Sequence, residues 1–464
     1  MSVTAWSPRR WFIFAAVILT PTLLISLSFD PWLMKPAKPT GDGLEYDAIA
    51  FSLQQGRGFS IDTRQIDWRH TYDSTEQLRA EYKFHLDSPV RTLPATGRPP
   101  LWPAIMSGIY LVAGRTPTGF ALIRSAEALC IALAGALATA LAAQVLRDYL
   151  VPTVCEHSRF NWITFCTNFS PTVVIFFFVT NRTLVSYTTD FLTEPLALLL
   201  TQVFINFCYQ LCGSEGKRSM RLIFLCGLTL GMMILTRSLF LLWLPGIWLI
   251  VVCITQGSYV HKLRLATILI IVACVVCGPW WIHNCWQLNR WMPLGTQGPI
   301  TLLGGYSDQA LASTSGDWQF GPEQELRSTL AHNRLFQQAA NDTSRELMVV
   351  ESARSATHAW ILKHLQDLPT LAWKRIITHW NPYSGPSLIW KAMALVGAAV
   401  VIRANKRVSC LLLGLPILST LVVAAIYTTG GRFLIPLYGL LFCLAAIGWA
   451  GLGLFSEAAK PSRN

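Results

Sequence analysis

The sequence predicts an all-α polytopic membrane protein of about ten transmembrane helices, with two large outer-face loops carrying interfacial helices. Three observations predict it. The 464 residues are 52% hydrophobic and only 13% charged, against roughly 25% charged in a soluble globular chain. Apolar runs of roughly 15–25 residues recur along the chain, the length that crosses a bilayer as helix. Small basic groups flank these runs on alternate sides, as cytoplasmic loops require.

The first apolar run is 11–29, its start held in the cytoplasm by Arg9 and Arg10. It is long for a secretory leader and has no small-residue cleavage site, so it reads as a retained helix. Residues 30–118 form the first outer loop. Within it, Leu44, Ala48, Ile49 and Leu53 recur at helical spacing, and Gly56 and Gly58 end that short helix. The stretch LWPAIMSGIYLVAG, after Pro99 and Pro100, is apolar but shorter than the roughly 20 residues of a span, so it reads as a helix lying in the interface. Residues 119–280 carry helices two to seven, over about 119–145, 160–178, 191–211, 222–235, 239–255 and 265–280. Residues 281–386 form a second outer loop, with two helices between Glu346 and Trp380 broken near Pro369. Residues 387–464 hold helices eight to ten and a cytoplasmic tail, with the basic RANKR group at 403–407.

Composition also excludes some functions. The net charge of +12 is scattered beside apolar runs, where it orients a membrane protein rather than grips nucleic acid. The twelve cysteines lie mostly inside apolar runs and show neither CxxC nor zinc-like spacing. The histidines are dispersed and form no serine-triad pattern. Large polar loops on one face only are unusual for a porter, and no half-to-half repeat is visible. The asymmetry points to chemistry at the outer surface.

The charged residues at that surface are the candidates. Asp42, Glu45 and Asp47 cluster in GDGLEYDAIAFSLQQGRG, with Tyr46 between them. Asp42, flanked by glycines, also suits a helix cap. Arg98, Arg124, Arg237 and Arg432 stand where apolar segments meet the outside. Singly, each could snorkel to headgroups; as a set they suit an anion clamp, because guanidinium makes bidentate bonds to phosphate and keeps its charge. Glu127, one turn beyond Arg124, could simply pair with it. Glu194, in TEP near Asp190, favours a helix start, or orients a sugar hydroxyl or a neighbouring arginine.

Six segments in order resemble the GT-C superfamily of membrane glycosyltransferases, in particular bacterial relatives of protein O-mannosyltransferase and of the lipid A aminoarabinose transferase. They are GDGLEYDAIAFSLQQGRG, RPPLWPAIMSGIYLVAG, FLTEPLALLL, LTRSLFLLWLP, GPWWIHN and GGRFLIPLYGLL, spread over nearly the whole chain. The resemblance implies a GT-C-like fold in a bacterial inner membrane with the site facing the periplasm. It implies transfer of a sugar from a polyprenyl-phosphate carrier to a lipid, protein or glycan acceptor. By the same likeness Asp42 is the base, and Arg98 and Arg237 contact the carrier phosphate. Two departures stand out: Gly43 follows Asp42 where many relatives have a second acid, and His283 replaces a basic residue in the PW-x-x-N segment. An inverting transfer needs one base and charge stabilisation of the departing phosphate, so no cofactor is required. Asp42, Glu45 and Asp47 have the ligand type for a weak divalent-cation site. The competing expectations are a ligase or polymerase moving a lipid-linked glycan, and a transporter or flippase of an anionic lipid.

Overall fold

The computed structural model describes residues 6–38, 42–62, 92–150, 162–381 and 385–458, with Gln65, Asp67, Trp68 and Thr71 between them. Most of the expected polar stretch after Asp62, and Gly41 before the acid cluster, lie outside the described residues. The chain is an all-α polytopic membrane protein. Its only strands among the described residues are β1 (Ser60–Asp62) and β2 (Thr92–Pro94), an antiparallel pair with Ile61 opposite Leu93.

The first span is α1 (Pro8–Ser28), capped by Ser7 Oγ on the Arg10 N–H. Its buried residues Trp11, Ala15, Leu19, Leu23 and Leu27 recur every fourth position, leaving Ile13, Val17 and Ile25 to the outside. Next come α2 (Gly43–Gln54) and α3 (Leu101–Ala113), then α4 (Pro117–Val145), which passes into a π turn at Leu146–Leu150. The row continues with α5 (Trp162–Thr180), α6 (Arg182–Ser186), α7 (Glu194–Cys212) and α8 (Gly216–Thr236). A 3-10 turn at Ser238–Trp243 leads into α9 (Leu244–Ile254), and α10 (Tyr259–Leu288) follows.

Among the described residues, eight helices are long and apolar enough to cross a membrane. The other two expected spans fall on α5 and on the Ser238–Ile254 segment, both shorter in their described apolar part. One boundary moves: α10 does not stop near residue 280 but runs through Pro279 to Leu288, where Asn289 closes it at φ +49°. The segment expected to end that span is therefore its outermost helical turns. Trp286 and Trp291, both strongly exposed, stand at that end, where amphipathic rings favour headgroup depth.

The segment expected to form the second outer loop is helical: α11 (Gln297–Gly305), α12 (Asp308–Ala312), α13 (Gly321–Ala331), α14 (Arg334–Gln337), α15 (Asp342–Lys363) and α16 (Leu368–Trp380). The last two are the expected pair. The spans α17 (Gly385–Ala404), α18 (Lys406–Ala425) and α19 (Tyr438–Ala458) complete the chain, with a 3-10 turn at Arg432–Leu437 opening the last span.

Two features of this layout position the site. First, α16 is fastened to the outer end of α18. Arg375, buried, donates to Gly305 O (2.7 Å) and Ala424 O (3.2 Å), and its guanidinium lies over the Tyr306 ring. Second, the turn before Arg432 is held by the outer segment. Gly430 N–H donates to Asp317 Oδ1 (2.8 Å), Trp318 N–H to Thr428 O (2.9 Å), and Gly431 sits at φ +78° against the carbonyls of Thr378 and His379.

Spans α17 and α19 meet backbone to backbone where Gly397 and Gly448 face each other. A Cβ at Gly397 would lie 1.9 Å from Leu444 O, and one at Gly448 2.0 Å from Met393 O. Small residues permit such close backbone approach inside a membrane bundle. Gly397→Val should therefore lower the thermal unfolding midpoint of detergent-solubilised protein, at a cost above the ~1 kcal/mol typical of point substitutions. An unchanged midpoint would show that the two helices can part freely.

Candidate active site

At one end of the bundle, five elements converge on a chain of ion pairs. Asp42 is the residue preceding α2, with backbone dihedrals already near helical, and its side chain makes no cap hydrogen bond. The capping role expected for it is not the one it takes. Its Oδ1 lies 2.9 Å from Arg98 Nη1 and its Oδ2 2.9 Å from Arg432 Nη1. Arg98 Nε also donates to Glu45 Oε2, one turn along α2. Arg432 Nε and Arg237 Nη1 both donate to Glu194 Oε1, and Arg237 Nη1 approaches Thr193 Oγ1 at 3.4 Å. The resulting chain runs Glu45–Arg98–Asp42–Arg432–Glu194–Arg237.

Local sequence explains each placement. Arg98 precedes Pro99 and Pro100, which start α3 and hold it at the rim. Arg237 is the extended residue between α8 and the following 3-10 turn, with ψ of 116°. Glu194 opens α7 ahead of Pro195 and is wholly buried, so its charge is stable only beside cations. Arg432 opens the 3-10 turn that the second outer segment secures.

Electrostatics follow from that packing. Burial works against the charged form of Asp42, but Arg98, Arg432 and Arg237 outweigh it and hold the carboxyl far below the usual carboxylate range. Arg98 is likewise pushed above the ordinary guanidinium value, because Asp42 and Glu45 outweigh its burial. Tyr46 is raised by burial and by Asp42, and its ring lies under Arg98, 5.6 Å from the guanidinium carbon. Two polar atoms in the cluster, Glu194 Oε2 and Arg432 Nη2, are buried and make no hydrogen bond among the described residues. A buried acceptor and a buried donor left open together are costly unless something fills them.

The structure brings together Asp42, Glu45, Tyr46, Arg98, Glu194, Arg237 and Arg432. Three expected members lie elsewhere. Asp47 points away from Asp42: Arg115 Nη2 reaches its Oδ2 at 2.5 Å, Tyr110 Oη donates to Oδ1 at 2.5 Å, and Trp68 Nε1 to Oδ2 at 3.0 Å. That carboxylate is a buried tie between α2, α3 and the first loop. Arg124 is also fully engaged, donating to the carbonyls of Leu33, Lys35, Pro36 and Thr189 with its plane over Phe191. It pins the chain leaving α1 and does not join the clamp. Glu127, the charge that acts most strongly on Arg124, also accepts from the Leu192 N–H at 2.6 Å. His283 stacks on Trp280 at 4.9 Å and meets the edge of Phe59, outside the ion-pair chain. With Asp47 turned away, the three acids of the first loop do not converge, and among the described residues no group of three His, Cys, Asp or Glu could hold a metal.

Three residues of the cluster carried no sequence signal. Gln297, at the start of α11, faces Arg98: with its amide oriented to satisfy both ends, its oxygen accepts from Nη1 at 2.9 Å. Tyr427 is raised by burial and neighbours Arg237, Asp42, Arg98 and Arg432. Tyr187 is pushed up to about 12 by burial and by Glu194. All three come from segments distant in sequence and belong to no motif, so only the tertiary contacts reveal them.

No family model matches this chain, and no curated protein does. Solved structures similar to it include two crystal structures of ArnT from Cupriavidus metallidurans, one in the apo state and one bound to undecaprenyl phosphate. Each is 14% identical, with the match covering 97% of this chain and 79% of that one at a TM-score of 0.39. A likeness that distant carries no weight for the chemistry, which rests on the site itself.

The tie at Asp47 makes a direct test of its structural role. Asp47→Ala would leave Arg115 buried without its carboxylate, a loss of about 3–5 kcal/mol. The variant should unfold at markedly lower temperature in a solubilised thermal-shift measurement. A midpoint within error of wild type would place Asp47 outside the structural core.

Proposed function

We propose that this chain is a membrane glycosyltransferase that takes a sugar from a polyprenyl-phosphate carrier at the outer membrane face and gives it to a hydroxyl acceptor. The observation that carries the reading is the ion-pair chain. Three arginines crowd around Asp42, Glu45 and Glu194 at one end of an apolar bundle, with Arg432 Nη2 and Glu194 Oε2 left open. A guanidinium cluster at the edge of hydrocarbon suits an anionic headgroup on an apolar tail.

The chemistry follows from which groups compete. Without substrate, Asp42 bridges Arg98 and Arg432, whose charges Glu45 and Glu194 help to balance. An incoming phosphate is the better partner, since its oxygens satisfy several guanidinium donors at once. As phosphate draws the arginines, the carboxylate of Asp42 is released from the contacts that depress its basicity. It then accepts the proton of the acceptor hydroxyl as that oxygen bonds to the anomeric carbon. The bond from that carbon to the phosphate oxygen breaks, its electron pair stays on phosphate, and Arg98, Arg237 and Arg432 stabilise the charge. The configuration inverts because attack and departure occur on opposite faces. Phosphate leaves readily without a general acid, and no cofactor enters the step.

The open oxygen of Glu194 and open nitrogen of Arg432 form an acceptor beside a donor, the combination that one sugar hydroxyl satisfies. The reading covers hexosyl or pentosyl donors alike. The acceptor is a lipid, protein or glycan, and the orientation we assign is a site facing the periplasm from a bacterial inner membrane. A flippase is disfavoured because the charges buried in the spans, Arg124 and Glu127 in the first turns of α4 and Glu194 at the start of α7, gather at one end of the bundle rather than along a passage through it.

Two variants test this. In reconstituted protein given radiolabelled polyprenyl-phosphate sugar and host membrane extract, Asp42→Asn should lower transfer by about 10²–10⁴-fold, the range for a lost general base. Binding of polyprenyl phosphate should persist or tighten, because the competing carboxylate is gone. Transfer at near wild-type rate would remove Asp42 from the chemistry. Arg432→Gln, by contrast, should weaken binding of polyprenyl phosphate by about tenfold or more, the cost of losing one charge-assisted pair. Unchanged binding would show that the phosphate sits elsewhere.

A further inference from the structure

Just before Glu194, residues Thr189 to Leu192 are fastened from four directions. Arg124 Nε donates to Thr189 O (3.2 Å), and Lys38 Nζ to Thr189 Oγ1 (2.8 Å). The Lys38 N–H donates to Asp190 Oδ1 (3.1 Å) and Trp102 Nε1 to Phe191 O (3.0 Å). The Leu192 N–H donates to Glu127 Oε1 (2.6 Å). Phe191, wholly buried, is held at φ +50°, a conformation that bulky residues rarely adopt and that persists only when surrounding contacts enforce it.

This strap presses on the residue that follows Asp42. A Cβ at Gly43 would lie 2.4 Å from Asp190 O and 3.3 Å from Asp190 Oδ1. Asp190 thus occupies the space that any side chain at position 43 would claim. The Lys38 contact ties the same residue to the chain leaving α1. The strap therefore touches both acids of the cluster: it abuts the residue after Asp42 and leads within two residues into Glu194. Those two acids share the Arg432 guanidinium, through Nη1 and Nε.

We infer that Asp190 is a positioning residue, which with Lys38 and the gap at Gly43 sets the separation of Asp42 and Glu194 around Arg432. This deepens the glycosyltransferase reading and rests on it. The charges facing Asp190 are Lys38, Arg124 and Arg432, with Glu127 as the nearby like charge. Burial pushes its carboxyl up to about 6 against the pull of Lys38. Raised in this way, the group is neutral below that pH and ionised above it, so its hold on Lys38 weakens as pH falls through about 6.

The test uses full-length protein in lipid nanodiscs, with Asp190→Asn and Gly43→Ala. Both should lower kcat by about 10- to 100-fold while the Kd for polyprenyl phosphate stays within about twofold, as misplacement rather than lost binding requires. The wild-type kcat should fall as pH drops through about 6, while Asp190→Asn is slow and flat across that range. Hydrogen exchange at the amides of residues 43–46 gives a readout independent of catalysis, and it should rise in both variants. Unchanged exchange there, or a loss of carrier binding equal to the loss of kcat, would overturn the inference. If wild type transfers no sugar, the glycosyltransferase reading fails, and the exchange data still decide whether Asp190 holds the Asp42 turn.

Discussion

The guanidinium of Arg432 grips Asp42 from the first outer loop and Glu194 from the start of α7, and the rest of the site is arranged around that shared cation. Glu194 is wholly buried, a place where an unpaired carboxylate would not stay ionised. Arg432 and Arg237 keep it charged, and Glu194 in turn holds two arginines together at its side. Neither sign of charge is stable there alone. The cluster forms only when the two outer loops and three spans are in register.

That requirement gives the second outer segment a purpose. The 3-10 turn bearing Arg432 is not rigid by its own sequence, since Gly430 and Gly431 precede it. Asp317, Trp318 and the carbonyl ends of α16 fix the turn, and Arg375 locks α16 to α18. A long polar excursion on one face thus aims a single arginine. The first loop works similarly: Asp47, Arg115, Tyr110 and Trp68 tie α2 to α3, and that tie orients Asp42 and Glu45 on the other side of α2.

Some of the site was readable before any coordinates. Arg98, Arg237 and Arg432 each stand at a border between polar and apolar sequence beside proline, a helix end or glycine. Such positions face the membrane rim whatever the tertiary arrangement. The place of Asp47 is also decidable, although it clusters with Asp42 in the sequence. At about 100° per residue, a helix turns position 47 roughly 140° from position 42, whereas position 45 lies only about 60° away. Spacing alone separates the outward pair from the buried acid. Arg124 was not decidable. Its four carbonyl partners come from two loops, and nothing local distinguishes a snorkelling arginine from one that staples backbone.

By itself the sequence determined that this chain crosses a membrane and which charges stand where its apolar runs end. Those properties are one-dimensional: run length, flanking charge and helical period are set by neighbours in the chain. The tertiary structure alone decided which charges meet. Whether Asp42 caps a helix or bridges two arginines, whether Gly43 is a mere turn residue or a gap for Asp190, and whether Gln297 reaches Arg98 depend on segments far apart in sequence. Ion pairing falls off within a few ångströms where donors must align, so only the folded packing of loops against spans could assign it.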